Sequence, residues 1–284
     1  GATPILADAT SLNDWNMSIE SIGKQITEKT KAIIVVHYAG YPCKDISKIS
    51  EMCRERGIAL IEDVAHAPGA SVNGKKCGTF GDVGCFSFFS NKNLSIGEGG
   101  MVSTQSPDLN QKLGYLRSHG MTTLTLDRHK GRAITYDVAQ SGLNYRMDEM
   151  RAAIGSVQLD KLPAGNIRRG ELTDRYRSNL QGSPVIMPFE NQTSEFTSVY
   201  HILPVLLPEK TDRVAVIGAL KEKRIQSSIH YPPFWDFTAF KGQFSPNDSP
   251  VTADICRRQL TLPLFPTMTE HEVDKVCNAL LEAL

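Results

Sequence analysis

Lys31-Ala-Ile-Ile-Val-Val-His37, a turn at Gly40-Tyr-Pro42, the segment Asp45-Ile-Ser-Lys-Ile-Ser-Glu-Met-Cys-Arg-Glu-Arg-Gly57 and then Ile58-Ala-Leu-Ile-Glu-Asp63 read as one βαβ unit. The first run is continuous and rich in β-branched residues, as in a strand buried on both faces. From Asp45 the apolar residues fall at Ile46, Ile49, Met52 and Cys53, which is helical spacing, and Gly57 is a natural C-terminal stop. Ile58 to Ile61 is the second strand, which leaves Glu62 and Asp63 at its carboxyl end. In open α/β sheets ligands bind outside that end.

The same alternation continues outward. Gly84 to Phe89 reads as a short strand followed by a polar, glycine-rich loop to Gly100, and Met101 to Thr104 as a strand leading into a helix from Asp108. Arg146 to Leu162 is helical, with Met147, Met150, Ile154, Val157 and Leu162 on one side. Pro163 and Gly165 then place a boundary between a large α/β domain, residues 1–164, and a smaller α+β domain, residues 165–284. In the second domain, helices are expected at Arg168 to Leu180 and Val214 to Lys223, with strands at Tyr200 to Leu206 and Ser227 to Tyr231. A final helix opens with the capping box Thr269-x-x-Glu272.

The 284 residues carry 31 basic and 31 acidic side chains, a balance that gives no reason to expect a nucleic-acid or acidic-membrane partner. The apolar run at Ala32 to Val36 is far too short to span a bilayer, and no signal peptide is expected at the start. Cys43, Cys53, Cys77, Cys85, Cys256 and Cys277 form no C-x-x-C pair, so no metal site is expected. They read as reduced core thiols of a cytoplasmic protein.

Gly69-Ala-Ser-Val-Asn-Gly-Lys75 approaches a phosphate-binding P-loop, but Lys76 stands where Ser or Thr would bind magnesium and no apolar-periodic helix follows. Asn73-Gly74 explains it better as a hairpin turn. Asp63, directly after a buried strand, is either a cap, a salt-bridge partner or a functional carboxylate, and His66 three residues on is by itself more often structural. Most lysines are solvated. Lys92, however, follows a hydrophobic strand in a loop of small residues and is flanked by Phe86, Phe88, Phe89 and Leu94. Desolvation lowers a lysine pKa and yields the neutral amine that Schiff-base chemistry needs. Ser87 and Ser90 offer hydroxyls for a phosphate, and Gly97, Gly99 and Gly100 allow close backbone approach.

Taken in order, Glu62-Asp-x-Ala-His-Ala-x-Gly-Ala70, Phe86-Ser-Phe-x-x-x-Lys-Asn-Leu94, Gly97-Glu-Gly-Gly100 and Gly142-Leu-Asn-Tyr-Arg-Met-Asp-Glu149 resemble the DegT–StrS type of sugar aminotransferase. Val36-His-Tyr-Ala-Gly40, Tyr200-His201 and Ile229-His-Tyr-Pro232 extend the resemblance over nearly the whole chain. It implies a fold-type I pyridoxal phosphate (PLP) transferase: a large domain with a mixed, mostly parallel sheet, a small C-terminal α+β domain, and a homodimeric assembly.

By the same resemblance Lys92 would hold PLP as a Schiff base and shuttle the proton, and Asp63 would pair with the pyridine nitrogen. His66 would lie beside the ring, Ser87 would bond the phosphate, and Asn144 would reach the phosphate of the neighbouring subunit. Arg146 would be a structural or carboxylate-binding partner. The reaction implied is transfer of an amino group from Glu or Gln to a keto-sugar, nucleotide-linked in the pattern of the family, with cyclitol ketones as a related class. Related dehydratases replace the lysine by histidine, so Lys92 argues against that chemistry. The stretch Gly1 to Asp8 resembles an internal strand of the family, so the usual N-terminal segment is expected to be lacking, with its helix N-terminus for the phosphate. A non-catalytic fragment or relic with an assembly or regulatory role is the alternative, opposed by the intact Asp63, Ser87 and Lys92.

Overall fold

The computed structural model describes residues 1–122, 131, 135–190 and 193–284. An antiparallel pair, β1 (Ala9–Ser11) and β2 (Asp14–Met17), leads through α1 (Ile19–Gln25) into the βαβ unit: β3 (Ala32–Val36), α2 (Ile46–Arg56) and β4 (Ala59–Asp63). Gly57 ends α2 in the left-handed region at φ 64°, where its N–H reaches the Arg54 and Cys53 carbonyls. A hairpin of β5 (Ser71–Val72) and β6 (Lys75–Lys76) turns through Asn73 and Gly74, both at positive φ, in place of a phosphate loop. Then come β7 (Val83–Ser87) and β8 (Gly100–Ser103).

The main sheet has the order β3-β4-β7-β8, with the first three strands parallel and β8 antiparallel to β7, the mixed, mostly parallel sheet that the sequence leads one to expect. Val36 lies opposite Asp63, and Asp63 opposite Cys85, so the carboxyl ends of the three parallel strands open on one edge. On one face Ile33, Val35 and Leu60 pack with Ile46, Ile49 and Cys53 of α2. The other face of β3 departs from expectation: Ile34 and Val36 are 55% and 38% exposed. A strand places successive side chains on opposite faces, and α2 covers only one of them.

After α3 (Pro107–Leu116), one helix, α4 (Glu149–Leu180), runs through both Pro163 and Gly165. The break expected there does not occur. Pro163 removes a single bond, that to the Leu159 carbonyl, from a helix of 32 residues anchored by packing along its second half. The expected boundary between residues 164 and 165 thus falls inside α4. Leu162 packs with Leu94 and Ile96, whereas Leu172, Tyr176 and Leu180 belong to a core built from the second half of the chain. The apolar stripe Met147, Met150, Ile154 and Val157 points away from both, and Met150 is 77% exposed.

β9 (Phe196–Thr197) returns to pair with β5. β10 (Leu203–Leu206), α5 (Arg213–Glu222), α6 (Pro250–Arg258), β11 (Gln259–Leu262) and α7 (Glu270–Glu282) complete the fold, β10 and β11 pairing antiparallel. Thr269 and Glu272 form the expected capping box at the start of α7. The strand expected at Ser227 to Tyr231 reduces to one bridge between Ser228 and Thr261. Beyond it side chains take the polar groups: Gln259 donates to the Tyr231 carbonyl and the Tyr38 hydroxyl to the His230 carbonyl. All six cysteines are free thiols, buried except for the half-buried Cys85. No described helix is long and apolar enough to cross a membrane.

Candidate active site

Asp63 ends β4 and Ser87 ends β7, on neighbouring parallel strands. The Ala65 N–H donates to Asp63 Oδ1 at 2.9 Å, and Oδ2 takes no hydrogen bond from the described residues. Ser87 Oγ accepts only a long bond, 3.4 Å, from the Phe89 N–H. Both groups therefore keep bonding capacity at the sheet edge where the βαβ rule puts a ligand.

The loop after β7 folds back on itself. The Lys92 N–H donates to the Phe89 carbonyl at 3.0 Å and the Ile96 N–H to the Phe88 carbonyl at 2.9 Å. Leu94 and Ile96 are buried against Leu162 and Phe88, which pins the loop beside α4. Lys92 is half-buried, and this burial pushes its ammonium below the usual lysine range, partly offset by the Asp63 carboxylate. Phe89 and Ser90 are exposed, whereas Phe88 packs with Leu94, Ile96 and Leu162, and Phe86 with Val64, Ala67 and Cys77.

His66 and His201 lie together in the field of Lys92, their ring centroids 4.4 Å apart. Burial, reinforced by the charges of Lys92 and His230, pushes His66 down to about 3. The Ala39 N–H donates to His66 Nδ1 at 3.3 Å, so the neutral ring carries its proton on Nε2 and donates to the Tyr231 hydroxyl at 3.1 Å. Burial, with His66 and Lys92 adding, lowers His201 to about 2. His230 is also lowered, by burial and then Lys92, and Tyr231 is raised, by burial and then Asp63. Asp63, His66, Lys92, His201, His230 and Tyr231 thus form one electrostatically coupled group.

The sequence reading did not single out Glu62, His37, His201 or Asn93 as site residues. Glu62 is fully buried and accepts from His37 Nε2 at 3.0 Å and from the Gly78, Phe80 and Gly81 N–H groups at 2.7, 2.6 and 2.8 Å. Burial opposes its charge, but His37 and these N–H groups outweigh burial and hold its carboxyl below the usual range. Glu62 anchors the 78–81 turn to β4 while its neighbour Asp63 faces the site edge. An acid at a strand end was the one available signal, and it does not separate the two roles.

Asn144 is not bonded to this group. It lies on an exposed segment, where its Oδ1 accepts from Arg146 Nε at 3.0 Å, and Arg146 also reaches His119 Nε2 at 3.3 Å.

Known proteins share this fold and much of this sequence. The family model described as DegT/DnrJ/EryC1/StrS aminotransferase family matches residues 1–281. The dTDP-4-dehydro-2,3,6-trideoxy-D-glucose 4-aminotransferase of Saccharopolyspora spinosa is 34% identical over 100% of this chain and 73% of its own length. The GDP-perosamine synthase of Escherichia coli O157:H7 is 32% identical over 99% of this chain and 73% of its own. The aminotransferase TlmJ of Streptoalloteichus hindustanus superposes with a TM-score of 0.89 at 31% identity, over 100% of this chain and 73% of that one. A sugar aminotransferase of Streptococcus pneumoniae, solved in its PMP form, gives 0.90 at 28% identity, over 100% of this chain and 76% of that one. The chain therefore belongs to the DegT/DnrJ/EryC1/StrS family, whose members are PLP-dependent aminotransferases of the fold-type I architecture.

Proposed function

We propose that this protein moves an amino group from Glu or Gln to the ketone carbon of a nucleotide-linked sugar. The observation that carries the reading is the half-buried Lys92, its ammonium destabilised by burial, in the same group as the Asp63 carboxylate at the carboxyl edge of the sheet. The acceptor class is supported by the relatives named for dTDP- and GDP-linked sugars.

The residues present fit PLP. Asp63 has an unused Oδ2 for a protonated ring nitrogen, Ser87 an underused hydroxyl for a phosphate, and Lys92 an amine disposed to be neutral. When bound, PLP supplies an electron sink for the carbon that loses or gains a proton. Lys92 Nζ, once neutral, would take that proton and return it, and Asp63 would hold a positive charge on the ring nitrogen. His66, held neutral, presents an uncharged face beside them and passes its bond to Tyr231. Arg146 orients Asn144.

The assembly fitting this reading is a homodimer, in which the exposed Asn144 serves the partner's site and the exposed Met150 and Val157 are covered. The six free thiols fit the reducing cytoplasm. The two-domain division near residues 164 and 165 is proposed as two packing units joined by the continuous α4. Addition of PLP, borohydride reduction and peptide mapping test the site: a pyridoxyl group on Lys92 is expected. A label elsewhere, or none, removes the reading.

A further inference from the structure

Asn93, the residue after Lys92, spends its whole side chain on internal bonds. Its Nδ2 donates to the Val199 carbonyl at 2.8 Å and to Asn166 Oδ1 at 2.9 Å, and its Oδ1 meets His201 Nδ1 at 3.0 Å. The amide orientation is fixed by chemistry, because a backbone carbonyl only accepts. Asn166 is fixed in the same way, since its Nδ2 donates to the Pro68 carbonyl at 3.2 Å. Oδ1 of Asn93 must therefore face His201, and His201 must donate to it from Nδ1.

The consequence lies at the other ring nitrogen. A neutral imidazole with its proton on Nδ1 has a lone pair on Nε2. His201 is only 6% exposed, yet no described residue donates to that nitrogen. Among the described residues the buried polar atoms left without a partner are Arg177 Nε, Ser227 Oγ and Ser249 Oγ, so Nε2 of His201 is not sealed from solvent. It is an acceptor on a ring held beside His66 and in the field of Lys92.

We propose that Asn93 is a positioning residue that locks His201 in the Nδ1–H tautomer, and that His201 Nε2 accepts a hydrogen bond from a hydroxyl of the keto-sugar acceptor. This rests on the substrate class proposed above. The depressed basicity of His201 supports it, since an imidazolium has no lone pair to offer. The acceptor is also selective: a sugar that brings no hydroxyl to Nε2 leaves that nitrogen dry and unpaired when the site closes around it.

The test has one arm without turnover. Long-range 15N–1H spectra of the histidine-labelled protein should show His201 protonated on Nδ1, with mixed tautomers in Asn93→Ala and Nδ1–H restored in Asn93→Asp. An Nε2–H tautomer in the wild type, or no change in Asn93→Ala, overturns the proposal. The second arm uses His201→Asn, whose side-chain NH2 can still donate to Asn93 but whose shorter chain places no acceptor at the position of Nε2. Each half-reaction is followed separately, with glutamate or glutamine as donor and dTDP-4-dehydro-6-deoxy-D-glucose or its 2,3-dideoxy analogue as acceptor. The KM for the hydroxylated acceptor should rise about ten-fold relative to any change in the donor half-reaction. The dideoxy analogue should show no such rise. Equal losses with both sugars, or equal losses in both half-reactions, overturn it. Failure with both glutamate and glutamine removes the aminotransferase reading itself. Success with either donor and no amination of either sugar removes the substrate class, and this proposal with it.

Discussion

His37 Nε2 donates to Glu62 Oε2 at 3.0 Å, and both side chains are fully buried. The Cys43 N–H donates to His37 Nδ1 at 3.0 Å, which fixes the proton on Nε2. A chain of bonds thus runs from Cys43, ahead of α2, through His37, just after β3, to the 78–81 turn beside β4.

Glu62→Gln should destabilise the fold by about 3 kcal/mol, because an NH2 group would then confront backbone N–H donors that need an acceptor. Urea denaturation at pH 7 measures this. The native carboxyl is held below its ordinary value of 4.5, so its contribution is present above that pH and lost as pH falls through the lowered native value. Unchanged stability in the variant would show that the buried anchor has no energetic role.

The histidine pair gives a second pH dependence. His66 and His201 fall from the ordinary 6.5 to about 3 and about 2, so below pH 6.5 the unfolded chain binds protons that the native one does not. Stability should decline as pH drops below 6.5, with Glu62 adding to the loss only below about 4.5. His66→Gln should flatten that slope in denaturation midpoints between pH 7 and pH 5. An unaltered slope would place the histidines in water.

Lys92→Ala should abolish pyridoxyl labelling at this site and lower amination at least 100-fold, since both attachment and proton transfer are lost. Asp63→Asn should retain labelling and lower the rate about 100-fold, because a neutral amide cannot hold the ring nitrogen protonated. Single-turnover absorbance with glutamate separates the two. Labelling that survives Lys92→Ala would move the site to another lysine.

Gly40→Ala tests the junction that seats His201. A Cβ at Gly40, whose φ is 89°, would lie 2.6 Å from the His201 N and 2.8 Å from the Tyr200 N, both backbone atoms. The bonds from the Val199 N–H to the Gly40 carbonyl and from the His201 N–H to the Ala39 carbonyl, each 2.8 Å, would have to break or shift. A loss of about 3 kcal/mol is expected from thermal unfolding. A loss under 1 kcal/mol would mean the two segments are not tightly coupled.

The sequence by itself determined the βαβ unit, because the period of apolar residues and the Gly57 stop are local properties of the chain. It also determined the family, through motifs that keep Asp63, Ser87 and Lys92 in order. Tertiary structure decided what periodicity leaves open. Pro163 lies inside α4 because packing downstream of it outweighs one lost hydrogen bond. The Met147 to Val157 stripe looks like core but faces outward, since an apolar face does not name what covers it. Glu62 and Asp63 are adjacent acids with opposite fates, because consecutive strand side chains point to opposite faces. His201, more than a hundred residues from Asn93, joins Lys92's neighbour only when α4 and residues 199–201 close on the loop. That pairing is a product of three-dimensional packing, and no spacing along the chain encodes it.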